Sequence, residues 1–183
     1  MRAPPEVIAA SLITLRRASP ADGAALYVVA RDPEVMRFMD WPMPSDPTNT
    51  EAHLESSVRA WEAGSEYQWV IVDRADAKCI GSISCRPQGG AADFGYFLDR
   101  SYWGRGYASD AASTVLTWLA AQQEIVRIWA TVDVENTRSR RLLERLGLHL
   151  EAVLPLATVR PNIGGGPRDT AVYARTKGAA LEP

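Results

Sequence analysis

The chain has 183 residues, 46% of them hydrophobic and 23% charged, which suits one globular domain with a full core and excludes a disordered chain. Its formal net charge of −2 gives no bulk electrostatic case for nucleic acid or an anionic membrane. No apolar run is long enough to cross a bilayer, and Pro4, Pro5 and Glu6 interrupt any signal-peptide core, so a cytoplasmic protein is expected.

Residues 1–10 read as a loose lead-in, and residues 12–16 as a first strand. Ser19 is placed to cap a helix that has Pro20 in its first turn and runs to about Arg31. The stretch 41–47 carries Pro42, Pro44 and Pro47, each lacking a backbone donor, and reads as a loop. A second helix covers about 50–62. Three strand-like runs follow at 68–73, 79–86 and 92–98, with turn residues Asp76 and Gly89-Gly90 between them. Their short connections favour antiparallel pairing. Cys79 and Cys85 fall on one face of the second run, roughly 20 Å apart and too far for a disulfide. With no histidine near in sequence, they read as reduced thiols rather than a zinc site.

Ala108, Ala111, Ala112, Val115, Leu116 and Leu119 then recur at helical spacing. Residues 127–132 form a strand. A helix over 136–146 turns Leu142, Leu143 and Leu146 inward and stops at Gly147. Last come strands at 148–154 and 170–175 around a loop at 160–167. The expected fold is α/β, one domain over 1–183 with its core at about 12–175. Its sheet is mixed, mostly antiparallel and seven-stranded, flanked by about four helices.

The informative segment is Phe94-Gly95-Tyr96-Phe97-Leu98-Asp99-Arg100-Ser101-Tyr102-Trp103-Gly104-Arg105-Gly106-Tyr107-Ala108. A strand ends, and a tight glycine turn opens a helix whose N-terminus has unsatisfied N–H groups and partial positive charge. Gly104 and Gly106 let backbone N–H groups wrap an anion closely, and Arg105 adds a charge. A plain strand-to-helix turn would use the same glycines. A P-loop is excluded, because no Gly-Lys-Ser/Thr tripeptide occurs. A dinucleotide fingerprint fits poorly, with Ser109 at its third small position and antiparallel strands before the turn. Gly95 interrupts its strand and predicts a bulge that would splay it from a neighbour and free backbone N–H groups.

The runs at 95–108, at Val134-Glu135-Asn136-Thr137-Arg138-Ser139 and at Leu142-Leu143-Glu144-Arg145-Leu146-Gly147-Leu148 resemble the GNAT superfamily of N-acetyltransferases. The resemblance is to its RimJ/RimL-type branch, which acetylates ribosomal-protein N-termini. It extends through Asp32-Pro33-Glu34-Val35-Met36 and Trp41-Pro42 at the start, and Pro167-Arg168-Asp169 and Tyr173-Ala174 at the end. It implies the GNAT fold, acetyl-coenzyme A as acetyl donor and a primary amine as acceptor, with a peptide N-terminus first and a small-molecule amine second. Homodimers are common in the family. Phe97 and Leu98 would bind the cofactor's pantetheine arm. Trp103, Gly104, Arg105, Gly106, Tyr107 and Ala108 would hold its pyrophosphate. Asn136 would contact the arm, and Ser139 would protonate the leaving thiolate. Trp103 departs from the general superfamily pattern but fits this branch.

Local chemistry leaves alternatives open. Asn136 is also a good helix cap, with Ser139 as its partner. Arg138, Arg140 and Arg141 oppose their helix's dipole, so one of them is expected to face a cofactor phosphate. Asp93 and Glu151 are the candidate bases, although a water chain could serve. His53 and His149 are weaker choices. Trp41, on its Pro-rich loop, is the expected acceptor contact, whereas Trp61 and Trp69 read as core. A non-catalytic acyl-coenzyme A module and a nucleotide-binding α/β protein are the rival functions.

Overall fold

The computed structural model describes residues 2–177. Strands β1 (Val7–Ala9) and β2 (Ile13–Arg17) lead to helices α1 (Gly23–Ala30), α2 (Pro33–Met36) and α3 (Pro47–Ala63). Strands β3 (Tyr67–Asp73), β4 (Cys79–Gln88) and β5 (Ala91–Leu98) follow, then α4 (Tyr107–Ala121), β6 (Arg127–Asp133), α5 (Thr137–Arg145), β7 (His149–Val159) and β8 (Pro167–Thr176). The strands form one sheet in the order β1-β2-β3-β4-β5-β6-β8-β7. Every pairing is antiparallel except β5 with β6.

Eight strands rather than seven are present because the expected lead-in pairs with β2, through Val7↔Arg16, Ile8↔Leu15 and Ala9↔Thr14. Glu6 fixes that edge through Arg17, which it meets at 2.8 Å. A fifth α-helix arises where Asp32 accepts the Glu34 N–H at 2.9 Å and Pro33 occupies the first turn. The Pro-rich loop is also shorter than expected. Asp46 accepts the Thr48 N–H at 2.8 Å, and Pro47 begins α3, where its missing donor costs nothing.

Helix α4 lays Ala111, Ala112, Val115, Leu116 and Leu119 against Ile13, Leu15, Trp69, Ile71 and Ile83 on one face of the sheet. Fully burying each of its larger aliphatic side chains contributes roughly 1.5–3 kcal/mol. On the other face, Leu26 of α1 and Leu54 of α3 pack with Ala18 and Val70. Trp61 and Trp69 lie in the first core, as expected. The two cysteines do not share a face. The β3–β4 register jumps from Ile71↔Gly81 to Val72↔Cys79, so the extra residue Ile80 breaks the alternation. Cys85 sits in the α4-side core and Cys79 packs against the opposite one. Burial pushes both thiols up, Cys79 to about 11, so neither is a reactive thiolate. Among the described residues no helix is long and apolar enough to cross a membrane.

One departure from regular pairing shapes everything around it. β5 pairs with β6 only through Ala91↔Arg127, Ala92↔Ile128 and Asp93↔Trp129. Beyond Asp93, β5 stays on β4 to Leu98, while β6 stays on β8 to Asp133. The two neighbours therefore part in the middle of the sheet. The expected bulge at Gly95 is not in the β4–β5 ladder, which runs unbroken through Ser84↔Gly95. The strand separates from β6 instead. A glycine with a steric role lies across the ladder. A Cβ on Gly81 would meet the Phe97 carbonyl oxygen at 2.2 Å. Gly81→Ala should therefore push the end of β5 away and destabilise the fold by about 1–3 kcal/mol, read from urea unfolding.

At the other end of β2, Asp22 accepts Arg16 Nη2 at 2.5 Å, together with the Ser19 N–H and hydroxyl, each at 2.9 Å. Burial pushes the Asp22 carboxyl up, but the Arg16 and Ser19 hydrogen bonds outweigh it and hold it below the usual range. A carboxylate depressed in the folded state stabilises above its unfolded value, about 3.9, and loses that contribution as pH falls through the folded one. The melting-temperature gap between the wild type and Asp22→Asn should accordingly be constant above about pH 5 and narrow as pH falls below about 3.9. A gap independent of pH would refute this.

Candidate active site

The parting strands leave the β6-facing edge of β5 without a ladder partner from Phe94 onward. Unpaired strand edges present N–H and C=O groups for another chain or ligand. The Leu98 carbonyl accepts the Trp103 indole N–H at 2.8 Å, which folds the following turn back onto the strand end. The chain then makes a 3-10 turn at Arg100–Tyr102, capped by Asp99, before the glycines. Gly104 and Gly106 have φ of 73° and 90°, a region that side chains disfavour. No side chain caps α4, so its first N–H groups face outward from the turn. Arg105 lies over the Tyr102 and Tyr107 rings, at 5.5 and 5.4 Å.

Of Arg138, Arg140 and Arg141 on α5, Arg138 reaches this turn, its guanidinium 4.1 Å from the Trp103 ring centroid. Arg140 turns inward to the Tyr173 hydroxyl at 3.1 Å and the Val134 carbonyl at 3.0 Å. Asn136 caps α5, its side-chain oxygen accepting the Ser139 N–H at 3.1 Å. The Ser139 hydroxyl lies 3.3 Å from the Tyr96 hydroxyl. Tyr96 was not singled out from the sequence, where it sits inside a strand next to Gly95. Burial holds its phenol above the ordinary value, against the pull of the Ser139 hydrogen bond and the Arg138 and Arg145 charges.

Asn136, Ser139, Tyr96, Phe97, Asp93 and Trp41 all line one cavity of about 960 Å³. Asp93 sits on its floor, where Arg86 opposite in the ladder takes both carboxylate oxygens, with Nε at 3.3 and 3.0 Å. Arg86 also meets Glu66 at 3.3 Å. Burial works against the Arg86 charge, but Asp93 more than offsets it and holds the guanidinium above its ordinary value. Glu151 does not line the cavity. It lies on β7, paired at 2.6 Å with Arg127. Asp133 also lines the cavity. Burial pushes its carboxyl up, but the Arg168 hydrogen bond at 2.6 Å and the Glu135 N–H at 2.9 Å together hold it below the usual range.

The roof comes from two loops. Trp41 stacks near His53, at 6.4 Å, and meets Phe97 edge-on at 5.9 Å. Asn162, from the loop between β7 and β8, donates to the Met36 and Trp41 carbonyls at 2.8 and 2.9 Å and accepts the Met43 N–H at 2.8 Å. Four buried side-chain polar atoms among the described residues have no partner: Thr50 Oγ1, Gln68 Oε1, and Arg160 Nε and Nη2. Thr50, Gln68 and Arg160 all line this cavity. Orphaned polar atoms are rare in folded proteins, and all four here belong to residues that line this cavity. None of these three residues carries a local sequence signal, since each becomes notable only through its burial.

The description "Acetyltransferase (GNAT) domain" fits residues 13–149. The chain is 27% identical over 152 residues to an N-acetyltransferase of Bacillus licheniformis, p20, covering 81% of this chain and 85% of that one. Its fold matches RimL, a ribosomal L7/L12 alpha-N-protein acetyltransferase solved with coenzyme A. The TM-score is 0.84 at 23% identity, over 93% of this chain and 98% of that one. It also matches the ribosomal-protein-S5-alanine acetyltransferase of Vibrio fischeri, at TM-score 0.80 and 21% identity, over 94% and 97% of the two chains. A parted mixed sheet, an uncapped helix at a double-glycine turn and a cavity lined from β5 and α5 thus coincide with a family match over most of the chain, which belongs to the GNAT acetyltransferases and is an acetyl-coenzyme A-dependent N-acetyltransferase.

Proposed function

We propose that the acceptor is a primary α-amine, foremost a peptide or protein N-terminus, which attacks the donor directly in a ternary complex. The observation that carries this reading is the engagement of Asp93 and Glu66 by Arg86. Neither carboxylate stands ready to deprotonate an ammonium group. An α-amine of pKa near 7.7–8.0 is roughly a quarter to a third neutral at pH 7.4, whereas a lysine amine near 10.4 is about 0.1% neutral. An α-amine therefore asks little of a base. RimL and the S5-alanine acetyltransferase, both named for ribosomal-protein acceptors, support the same direction.

Acetyl-coenzyme A supplies an activated acetyl group when bound. The features on hand suit it: two positive-φ glycines, an uncapped helix and a strand edge without a partner. In this reading Phe97 and Leu98 hold its arm. Residues 103–108 hold its pyrophosphate, with Arg138 as a neighbouring charge. Asn136 completes the cradle with whatever its capping role leaves free. A free N–H near Leu98 donates to the oxygen that gains negative charge during attack. Ser139 and Tyr96 hold a proton for the departing sulfur. A phenol held above its ordinary value keeps its proton at neutral pH, so Tyr96 serves as donor and not as base. Trp41 forms a wall for the acceptor.

At pH 7.4 a thiol-release assay should turn over peptide N-termini at least about a hundredfold faster than lysine side-chain amines, with the gap narrowing as pH rises. Faster turnover of lysine amines at pH 7.4 would overturn the reading. Ser139→Ala and Tyr96→Phe should each lower kcat about tenfold to a hundredfold with little change in donor affinity. The double variant should be no worse than the poorer single one, because the two hydroxyls act through one hydrogen bond. Fully additive losses would separate their roles.

A further inference from the structure

Arg160 begins the loop between β7 and β8, and its side chain is unusual for a surface connection. The residue is 5% exposed and lines the acceptor-side roof of the cavity. Its Nε and Nη2 are buried with no hydrogen-bond partner. A buried guanidinium with unmet donors is costly, because the desolvation of a charged group is not recovered. The opposite charges that act on it are Asp40 and Asp133. The Asp133 carboxylate is taken by Arg168 and by the Glu135 N–H, and Asp40 makes no hydrogen bond to Arg160 among the described residues. Desolvation holds the guanidinium below its ordinary value, and arginine is a charged side chain at neutral pH.

The backbone that carries this side chain is tied down. The Ile163 N–H bonds the Arg160 carbonyl at 3.1 Å. Two residues on, Asn162 ties the loop to the Met36 and Trp41 carbonyls. Arg160 is thus a planar fork of donors in the cavity wall on an anchored loop, and such a fork matches a carboxylate.

We propose that Arg160 is a specificity-determining residue that receives a carboxylate carried by the acceptor molecule itself, so that the enzyme prefers amines bearing an acidic group. This rests on the transferase reading above. The carboxylate has two sources: an acidic side chain near a peptide's N-terminus, or the main-chain carboxylate of a free α-amino acid.

Two acceptor pairs separate them. One is a short peptide with Asp at its second position against its Asn analogue. The other is an α-amino acid against its amide. The wild type should favour the carboxylate member of one pair by about tenfold to a hundredfold, as expected for charge-assisted hydrogen bonds, mainly through KM. Calorimetric titration of the same pairs without donor should give the same order. Arg160→Gln should reduce the preference to within about twofold, Arg160→Lys should keep part of it, and acetyl-coenzyme A affinity should stay within about twofold in both. No preference in either pair for the wild type, by kinetics or calorimetry, would overturn the proposal, and this holds even should Arg160→Gln fail to fold. A preference that survives Arg160→Gln in a folded protein would also overturn it. Should no amine release thiol while the donor binds, the transferase reading falls, and the donor-free titration still decides whether Arg160 binds a carboxylate.

Discussion

The site depends on a sheet that stops pairing halfway. β5 and β6 share three residue pairs and then separate, each kept in place by its other neighbour. A strand edge inside a sheet is normally closed, because an unpaired buried N–H or C=O costs free energy comparable to a lost hydrogen bond. Here the loss is confined to one wedge, and the wedge is where Phe97, Ser139 and the arginine-bound Asp93 meet. The parallel sense of this one pair matters too. Strands running the same way carry both C-terminal ends, and the helices that follow them, to one side. The N-termini of α4 and α5 therefore flank the same opening.

Charge is distributed around that opening by function. The floor is neutralised locally, with Arg86 between Asp93 and Glu66, and Asp133 answered by Arg168. The side formed by α4 and α5 carries helix N-termini and Arg138 above Trp103. The roof carries Arg160 without a bonded partner. A cavity whose floor charges are already paired does not pull cations in generally, so selection falls to its edges. Ser139 and Tyr96 line the same cavity, with hydroxyls close enough for one long hydrogen bond.

The sequence made legible what depends on local chemistry. The α4 stripe from Ala111 to Leu119, the glycine turn and the α5 cap at Asn136 each follow from spacing and residue type. The short pieces were missed, because β1 and α2 have too few residues to show a period and are set by a partner strand or a single aspartate. The cysteine faces were misread because a one-residue slip at Ile80 leaves no mark in composition. Arg160, Gln68 and Thr50 lay beyond reach for a deeper reason. Their importance lies in buried polar atoms left without a partner, and absence of a contact is a property of three dimensions alone.

Asn162 bridges stretches more than a hundred positions apart with a single side-chain amide. The two halves of the doorway are thereby welded into one rigid lintel, and neither half can change length without unseating the other. New acceptors in this scaffold are then reached more readily by repainting side chains under the lintel than by inserting or trimming residues in either span.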